Sequence, residues 1–372
     1  MIDSTAFERL RSIGLTPALI QQLVTLAPRG AEPAPRRAGV EPALMRVTEV
    51  QREGLTLHDG GAEHGARLLP ALRASLLAEG DAIAVGDWVL AEANAYGEWW
   101  VHTRVPPLNQ LARRLHDGRD KVTRAVIVSN VDTALLVMGL DHDYSLRRLE
   151  RYLALVHLAG VGAVVVLTKA DLCDDVAARL REVQALLPPG AAAVAVNALG
   201  DDPLQALAPW VQPGQTLVLL GSSGAGKSTL TNALTGAGQD TGASRRGDSR
   251  GRHTTTARSM HATPRGACII DTPGLRTLRL DGEAEQLGAV FDDIARLALD
   301  CRFRDCQHEN EPGCAVREGV SGDRLLSFQK LLREARRDTL TALERKAMVS
   351  QWKARGRAAR VRMNAKRGPD WR

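Results

Sequence analysis

Along the 372-residue chain the spacing of apolar positions changes three times, and each change predicts a different kind of structure. Phe7, Leu10, Ile13, Leu19, Ile20 and Leu23 recur at helical spacing, which predicts two short helices over residues 2–28, broken near Gly14–Pro17. Residues 28–42, PRGAEPAPRRAGVEP, read as a flexible linker. From 43 to 105 apolar and polar residues alternate around turn signals, in MRVTEVQREGLTLHDG, ARLLPALRASLL, DAIAVGDWVLAEA and GEWWVHTRV. Short strands at this spacing predict a small antiparallel barrel or sandwich, and the Val85–Val89 turn with the late strand ending at Arg104 suits a five-stranded OB-type barrel, a fold that often carries oligonucleotides. Residues 108–121, LNQLARRLHDGRDK, read as a polar connector.

Beyond it the pattern becomes alternating α/β. Apolar strands are expected at 125–129 and 133–138, at Gly162–Leu167, Ala192–Val196, Thr216–Leu220 and Ala267–Ile270. Helices are expected from Ser145 (with Leu149, Tyr152 and Val156 on one face), at 174–187, near 203–210, and from Ser228 to about Leu234. Continuous apolar strands interleaved with helices predict a mostly parallel, doubly wound sheet. The resulting division is 1–42 for the N-terminal helices and linker, 43–112 for the barrel, 113–286 for the α/β domain, and 287–372 for a C-terminal module.

The strand Thr216–Leu220 runs into Gly221-Ser222-Ser223-Gly224-Ala225-Gly226-Lys227-Ser228-Thr229, which fits the phosphate-loop pattern G-x-x-x-x-G-K-[ST]. Glycines allow a tight turn whose N–H groups point at phosphate oxygens. Lys227 brings positive charge to the β- and γ-phosphates, Ser228 can ligate Mg²⁺, and the following helix presents its positive end to the same anion. A chance glycine-rich turn would lack the flanking buried strand and helix. The strand Ala267–Ile270 delivers Asp271-Thr272-Pro273-Gly274, an aspartate beside Mg²⁺ and a glycine whose N–H can reach the γ-phosphate. Between them, 241–258 (TGASRRGDSRGRHTTTAR) holds three glycines, five arginines and three consecutive threonines, as expected of a loop ordered by the γ-phosphate and metal.

Composition and charge narrow the class. The chain is 44% hydrophobic and 25% charged, ordinary for a globular protein. No run of 18 uncharged apolar residues appears, and the N-terminus lacks the order of a signal peptide, so a cytoplasmic protein without a membrane span is expected. The net charge of +6 is uneven: residues 324–372 carry 15 Lys/Arg against 4 Asp/Glu, a local +11 on a body of −5. Such a tail points to a polyanionic partner. Of five cysteines, Cys301, Cys306 and Cys314 fall within 14 residues and flank His308. Three thiolates and one imidazole make a closed tetrahedral Zn²⁺ site of the structural kind, and their polar neighbours argue against buried free thiols.

Thr168-Lys169-x-Asp171 looks like the guanine-specificity motif of GTPases, and Asn197-Ala198 like their later base-contacting motif. In ordinary GTPases both follow the phosphate loop; here both precede it. From about residue 40 onward this permuted order, the barrel, the Gly-Arg-His-Thr-Thr-Thr switch (251–256), Asp-Thr-Pro-Gly and the cysteine cluster resemble the ribosome small-subunit-dependent GTPase A family (RsgA, also called YjeQ or YloQ). Thr168 stands where that family usually has asparagine, and Asn197 where serine is more usual. The resemblance implies GTP as the ligand. It places Mg²⁺ on Ser228, a switch threonine (taken as Thr255) and Asp271, with Gly274 at the γ-phosphate. It further implies a monomer that binds the small (30S) ribosomal subunit and 16S rRNA late in assembly, with hydrolysis to GDP driving release. Two rival readings are a small-molecule kinase and an RNA-binding zinc protein with a vestigial nucleotide site; the base motifs oppose the first, and the intact Lys227, Ser228 and Asp271 the second.

Leu275 follows the switch glycine where Ras-like GTPases place a water-orienting glutamine, so intrinsic hydrolysis is expected to be slow. His253 is the candidate to hold the attacking water, beside Lys227 and Asp271. His253→Ala is expected to lower stimulated GTP hydrolysis with little change in GTP binding; full retained activity rules the role out.

Overall fold

The computed structural model describes residues 4–26, 42–51, 54–116, 122–200, 202–236, 258–272 and 284–339. Two helices open the chain, α1 (Ser4–Ser12) and α2 (Pro17–Thr25). Thr16 caps α2 by accepting from the Leu19 amide, and Pro17 supplies the pre-set first turn. Leu10, Ile13, Leu15 and Leu19 are buried, so these helices join the core of the molecule instead of standing apart from it.

The barrel comprises β1 (Ala43–Val50), β2 (Leu55–His58), β3 (Glu63–Leu68), helix α3 (Pro70–Ala78), β4 (Trp88–Ala93) and β5 (Trp99–Arg104). β1 pairs with both β2 and β4, β3 runs parallel to β5, and β5 pairs with β4, which closes five strands in the expected way. Met45, Val47, Leu57, Val89, Ala91 and Val101 fill its interior. The expected strand ARLLPALRASLL is divided: its first residues end β3, and the rest is α3. Pro70 starts that helix, and Leu76 turns inward while Leu77 stays exposed, a helical division of faces that overrides apparent alternation.

The expected connector at 108–121 contains a strand. β6 (Gln110–His116) pairs antiparallel with β7 (Val122–Ser129) as a separate ribbon. Among the described side chains of this basic run only Leu111 and Ala112 are buried, and the apolar partner that makes it a strand lies on β7. The expected strand at 125–129 therefore belongs to this ribbon and not to the parallel sheet.

The α/β domain follows as β8 (Thr133–Gly139), α4 (Leu146–Leu158), β9 (Gly162–Thr168), α5 (Val176–Gln184), β10 (Ala192–Ala195), α6 (Asp202–Ala206), β11 (Thr216–Leu220), α7 (Lys227–Thr235), β12 (Ser259–Ala262) and β13 (Cys268–Asp271). The spatial order is β10-β9-β8-β11-β13-β12, with the first five strands parallel. Alternate residues serve opposite faces: Leu135, Val137, Leu217, Leu219 and Ile269 on one, Leu136, Met138, Val218, Leu220 and Ile270 on the other. β12, too short to be legible as a strand, pairs antiparallel with β13 and, on its other side, with β1 at Glu49–Ser259, so barrel and parallel sheet form one continuous sheet.

The C-terminal elements are α8 (Asp292–Ala298), α9 (Ala315–Gly319) and α10 (Gly322–Thr339). Phe291, Val316, Leu331 and Ala335 pack in the same apolar cluster as Leu149 and Leu153 of α4. Arg324 of α10 donates to Glu150 at 2.7 Å and to both oxygens of Asp293 at 2.9 and 2.8 Å, and Arg151 forms a two-pronged pair with Glu334 at 2.6 and 2.8 Å. Among the described residues no helix is long and apolar enough to cross a membrane.

Asp87, in the turn before β4, is fully buried; it accepts from the Ala84 amide at 2.8 Å, with Arg104 4.0 Å away. Burial pushes its carboxyl up to about 6, against the Ala84 hydrogen bond and the Arg104 charge, with Asp81 adding to the rise. The folded state thus holds this proton more tightly than the unfolded chain, and stability falls as pH rises from the ordinary carboxylate range to about 6. Asp87→Asn is expected to remove about 3 kcal/mol of that decline. Denaturant unfolding between pH 4 and 7 reads it, and an unchanged slope in the variant would show that another group titrates.

Candidate nucleotide and metal sites

The phosphate loop leaves the C-terminal end of β11 in the middle of the sheet. At Gly221 the loop passes so close to β8 that an added Cβ would lie 2.4 Å from the Val137 carbonyl oxygen, which admits only glycine. Gly226 closes the loop with φ +93°, a left-handed conformation, and α7 begins at Lys227. Ser222, Ser223, Gly224 and Ala225 lie between, and the Ser228 hydroxyl is exposed in the first helical turn with Thr229 beside it.

Lys227 is buried against its own loop, donating to the Gly221 carbonyl at 3.0 Å and to the Ser222 carbonyl at 2.6 Å. An ammonium has three donors, so two hold it in place and one remains for an anion. Burial pushes its pKa down, opposed by the charges of Asp271 and Asp143. Asp271 ends β13, the strand next to β11. Burial raises its carboxyl, opposed by Lys227 and then His261. Thr272 donates to the Leu219 carbonyl at 2.6 Å and fixes the chain just beyond. Ser228 and Asp271 together offer the hard oxygen donors that suit Mg²⁺.

The two base motifs meet at the neighbouring strand ends. The Ala170 amide donates to the Val196 carbonyl at 3.4 Å, and the Val196 amide to Leu167 at 2.8 Å. Asp171 is exposed on a short 3₁₀ turn, Ala170–Leu172. Asn197 uses its side-chain oxygen to accept from the Leu199 amide at 3.0 Å, which shapes the turn holding Ala198. Two side chains tie this half to the phosphate loop. The buried Thr168 hydroxyl donates to the Ala225 carbonyl at 2.6 Å. Lys169, in the left-handed region at φ +58°, donates to the Gly224 carbonyl at 2.8 Å and to Asp141 at 2.7 Å. Of the residues the sequence pointed to, His253, Thr255, Gly274 and Leu275 lie outside the described residues. Asp141 and Asp143 went unnoticed, because two acids in the polar turn GLDHDYS carry no motif.

In the C-terminal module, Cys301, Cys306, His308 and Cys314 converge with all four ligand atoms within 4.8 Å of one another. Cys301 and Cys314 sulfurs are 3.9 Å apart, and His308 Nδ1 lies 3.7 and 3.4 Å from them. Tetrahedral bonds of the usual Zn–S and Zn–N lengths would separate neighbouring ligand atoms by roughly 3.5–3.8 Å, so the group fits a metal ion. His308 is left-handed at φ +59°, and Gln329 of α10 donates to its carbonyl at 2.9 Å.

A family model for the RsgA GTPase matches residues 106–281. The chain is 47% identical over 277 residues to the small ribosomal subunit biogenesis GTPase RsgA of Xylella fastidiosa (strain M23), covering 74% of this chain and 81% of that relative. It is 43% identical over 291 residues to small ribosomal subunit biogenesis GTPase RsgA 2 of Vibrio parahaemolyticus, covering 77% and 78%. The chain belongs to the RsgA GTPase family. Two solved structures share its fold: YjeQ from Thermotoga maritima (TM-score 0.57, 79% of this chain and 99% of that one) and YloQ, a circularly permuted GTPase (0.56, 83% and 100%), each 23% identical. For an RsgA chain, the two hydrogen bonds from Thr168 and Lys169 to Ala225 and Gly224 are where the permuted halves are sewn together.

Thr168→Val, which keeps shape but loses the hydroxyl, leaves the buried Ala225 carbonyl without that partner. A loss of about 1–2 kcal/mol in GTP affinity is expected. Equilibrium binding of a fluorescent GTP analogue measures it, and unchanged affinity would assign Thr168 to packing alone.

Proposed function

We propose that this chain hydrolyses GTP to GDP and phosphate, is stimulated by the small (30S) ribosomal subunit and acts late in its assembly, hydrolysis driving release. The observation that carries the reading is the joining of the base turn at Thr168–Asp171 to the phosphate loop at Gly224–Ala225, in a chain whose relatives are small ribosomal subunit biogenesis GTPases. Asp171, exposed at the end of that turn, suits the N1–H and exocyclic amine of guanine, with an amide at Asn197–Ala198 for its O6.

In this reading Gly221 to Thr229 cradle the phosphates, Gly274 reaches the γ-phosphate, and Mg²⁺ bound with GTP is held by Ser228, Thr255 and Asp271. Magnesium supplies charge neutralisation at the transferred phosphoryl group. Lys227 adds a fixed positive charge, and His253 orients the attacking water, a task Leu275 cannot perform. The Cys301, Cys306, His308 and Cys314 cluster holds one structural Zn²⁺. The basic segment that follows Arg324, itself tied to Glu150 and Asp293, supplies phosphate contacts to 16S rRNA, and the barrel a second RNA-facing end. The protein works in the cytoplasm as a monomer.

The deciding experiment is GTP hydrolysis by the purified chain with and without 30S subunits. Stimulation of tenfold or more is expected. GTP binding without any 30S stimulation would sink the ribosomal reading. Phosphate transfer to a metabolite would favour a kinase.

A further inference from the structure

The loop between β8 and α4, residues 140–145, carries none of the motifs that point to a nucleotide, yet it grips both halves of the site. Asp143 is only 7% exposed. Its Oδ1 accepts from the Ser222 hydroxyl and from Arg148 Nη2 at 2.6 Å, and its Oδ2 accepts from the Gly139 amide at 3.1 Å. Arg148 also donates to the Asp143 carbonyl. Two residues earlier, Asp141 Oδ1 accepts from the Asp143 amide at 3.1 Å, while Oδ2 accepts from Lys169 at 2.7 Å. A single short loop thus reaches the phosphate loop at Ser222 and the base turn at Lys169.

A buried carboxylate is costly unless every oxygen is used. An Asp143–Arg148 pair could serve α4 equally well at the surface. What burial gains here is the Ser222 hydroxyl. Ser222 also supplies one of the two carbonyls that aim Lys227. Fixing the Ser222 side chain therefore fixes the backbone that sets the position of the ammonium. We propose that Asp143 is a positioning residue for the nucleotide: by clamping Ser222 it holds the phosphate loop and Lys227 in the geometry that receives the β- and γ-phosphates. Arg148 pairs with Asp143 and offsets its negative charge behind the loop.

The inference rests on the reading of this loop as a GTP site. Its test is a double-mutant cycle in the full chain, with Asp143→Asn, Ser222→Ala and both together, read by titration with a fluorescent GTP analogue, by kcat and KM for GTP, and by thermal melting without nucleotide. Each single variant is expected to weaken GTP binding about tenfold and raise KM more than it lowers kcat. The double variant should be no weaker than the singles, with melting close to that of the unmutated chain. Should Asp143→Asn fold poorly, Ser222→Ala alone must reproduce the loss. Unchanged GTP affinity in either single variant, or losses that multiply in the double, would overturn the clamp. No GTP binding by the unmutated chain would overturn the nucleotide reading itself, and the clamp with it, so the two failures are distinguishable.

Discussion

The guanidinium of Arg46 is wholly buried where three parts of the chain meet, and among the described residues its hydrogen-bond partners are neutral oxygens. It donates to the Ile13 carbonyl after α1, to the Thr216 hydroxyl at 2.9 Å at the start of β11, and to the Asn130 carbonyl at 3.0 Å after β7. Trp88 of β4 lies under it, 5.6 Å from the ring centre. Burial pushes its pKa down, opposed by nearby Cys268, Asp132 and Asp87. Desolvating a charge costs several kcal/mol, so the arrangement holds only while all these acceptors stay in place. Helices, barrel and parallel sheet are thereby fixed relative to one another. The strand so anchored at Thr216 is the one that carries the phosphate loop five residues later.

At the other end of that strand the same logic works with smaller groups. Parallel strands bring their C-terminal ends to one side of the sheet, and ligands bind there. β8, β9, β10, β11 and β13 each end beside the site, whatever their order along the chain. Permutation rearranges the connections but leaves the strand neighbours in place. Thr168, Lys169, Asp141 and Asp143 then hold together segments that lie up to about 80 residues apart in sequence.

Much of this was legible because burial on both faces writes itself as an unbroken apolar run. Thr216–Leu220 and Gly162–Leu167 read as strands for that reason, and the glycines and lysine that follow Leu220 have little other use. The C-terminal cluster was legible from spacing, since thiols so close in a polar stretch have few alternatives. Arg46 was not legible. Alternation around Met45 and Val47 assigns it to the outer face of the barrel, but says nothing of what covers that face, which here is the end of α1 and the start of β11. Asp143 was hidden for a related reason: its partner Ser222 lies 79 residues away and only folding reveals the pair. The β6–β7 ribbon escaped because its apolar face is split between two runs, one of them basic.

β12 has only four residues, paired with β13 on one side and with the barrel strand β1 on the other. A strand with one free edge invites pairing with a second copy of itself. The barrel strand β1 meets that edge at one end, through the Glu49–Ser259 pair. A fragment cut to begin at the α/β domain would therefore bare the end of β12 that lies opposite Asp271, a short margin open to pairing with a second copy.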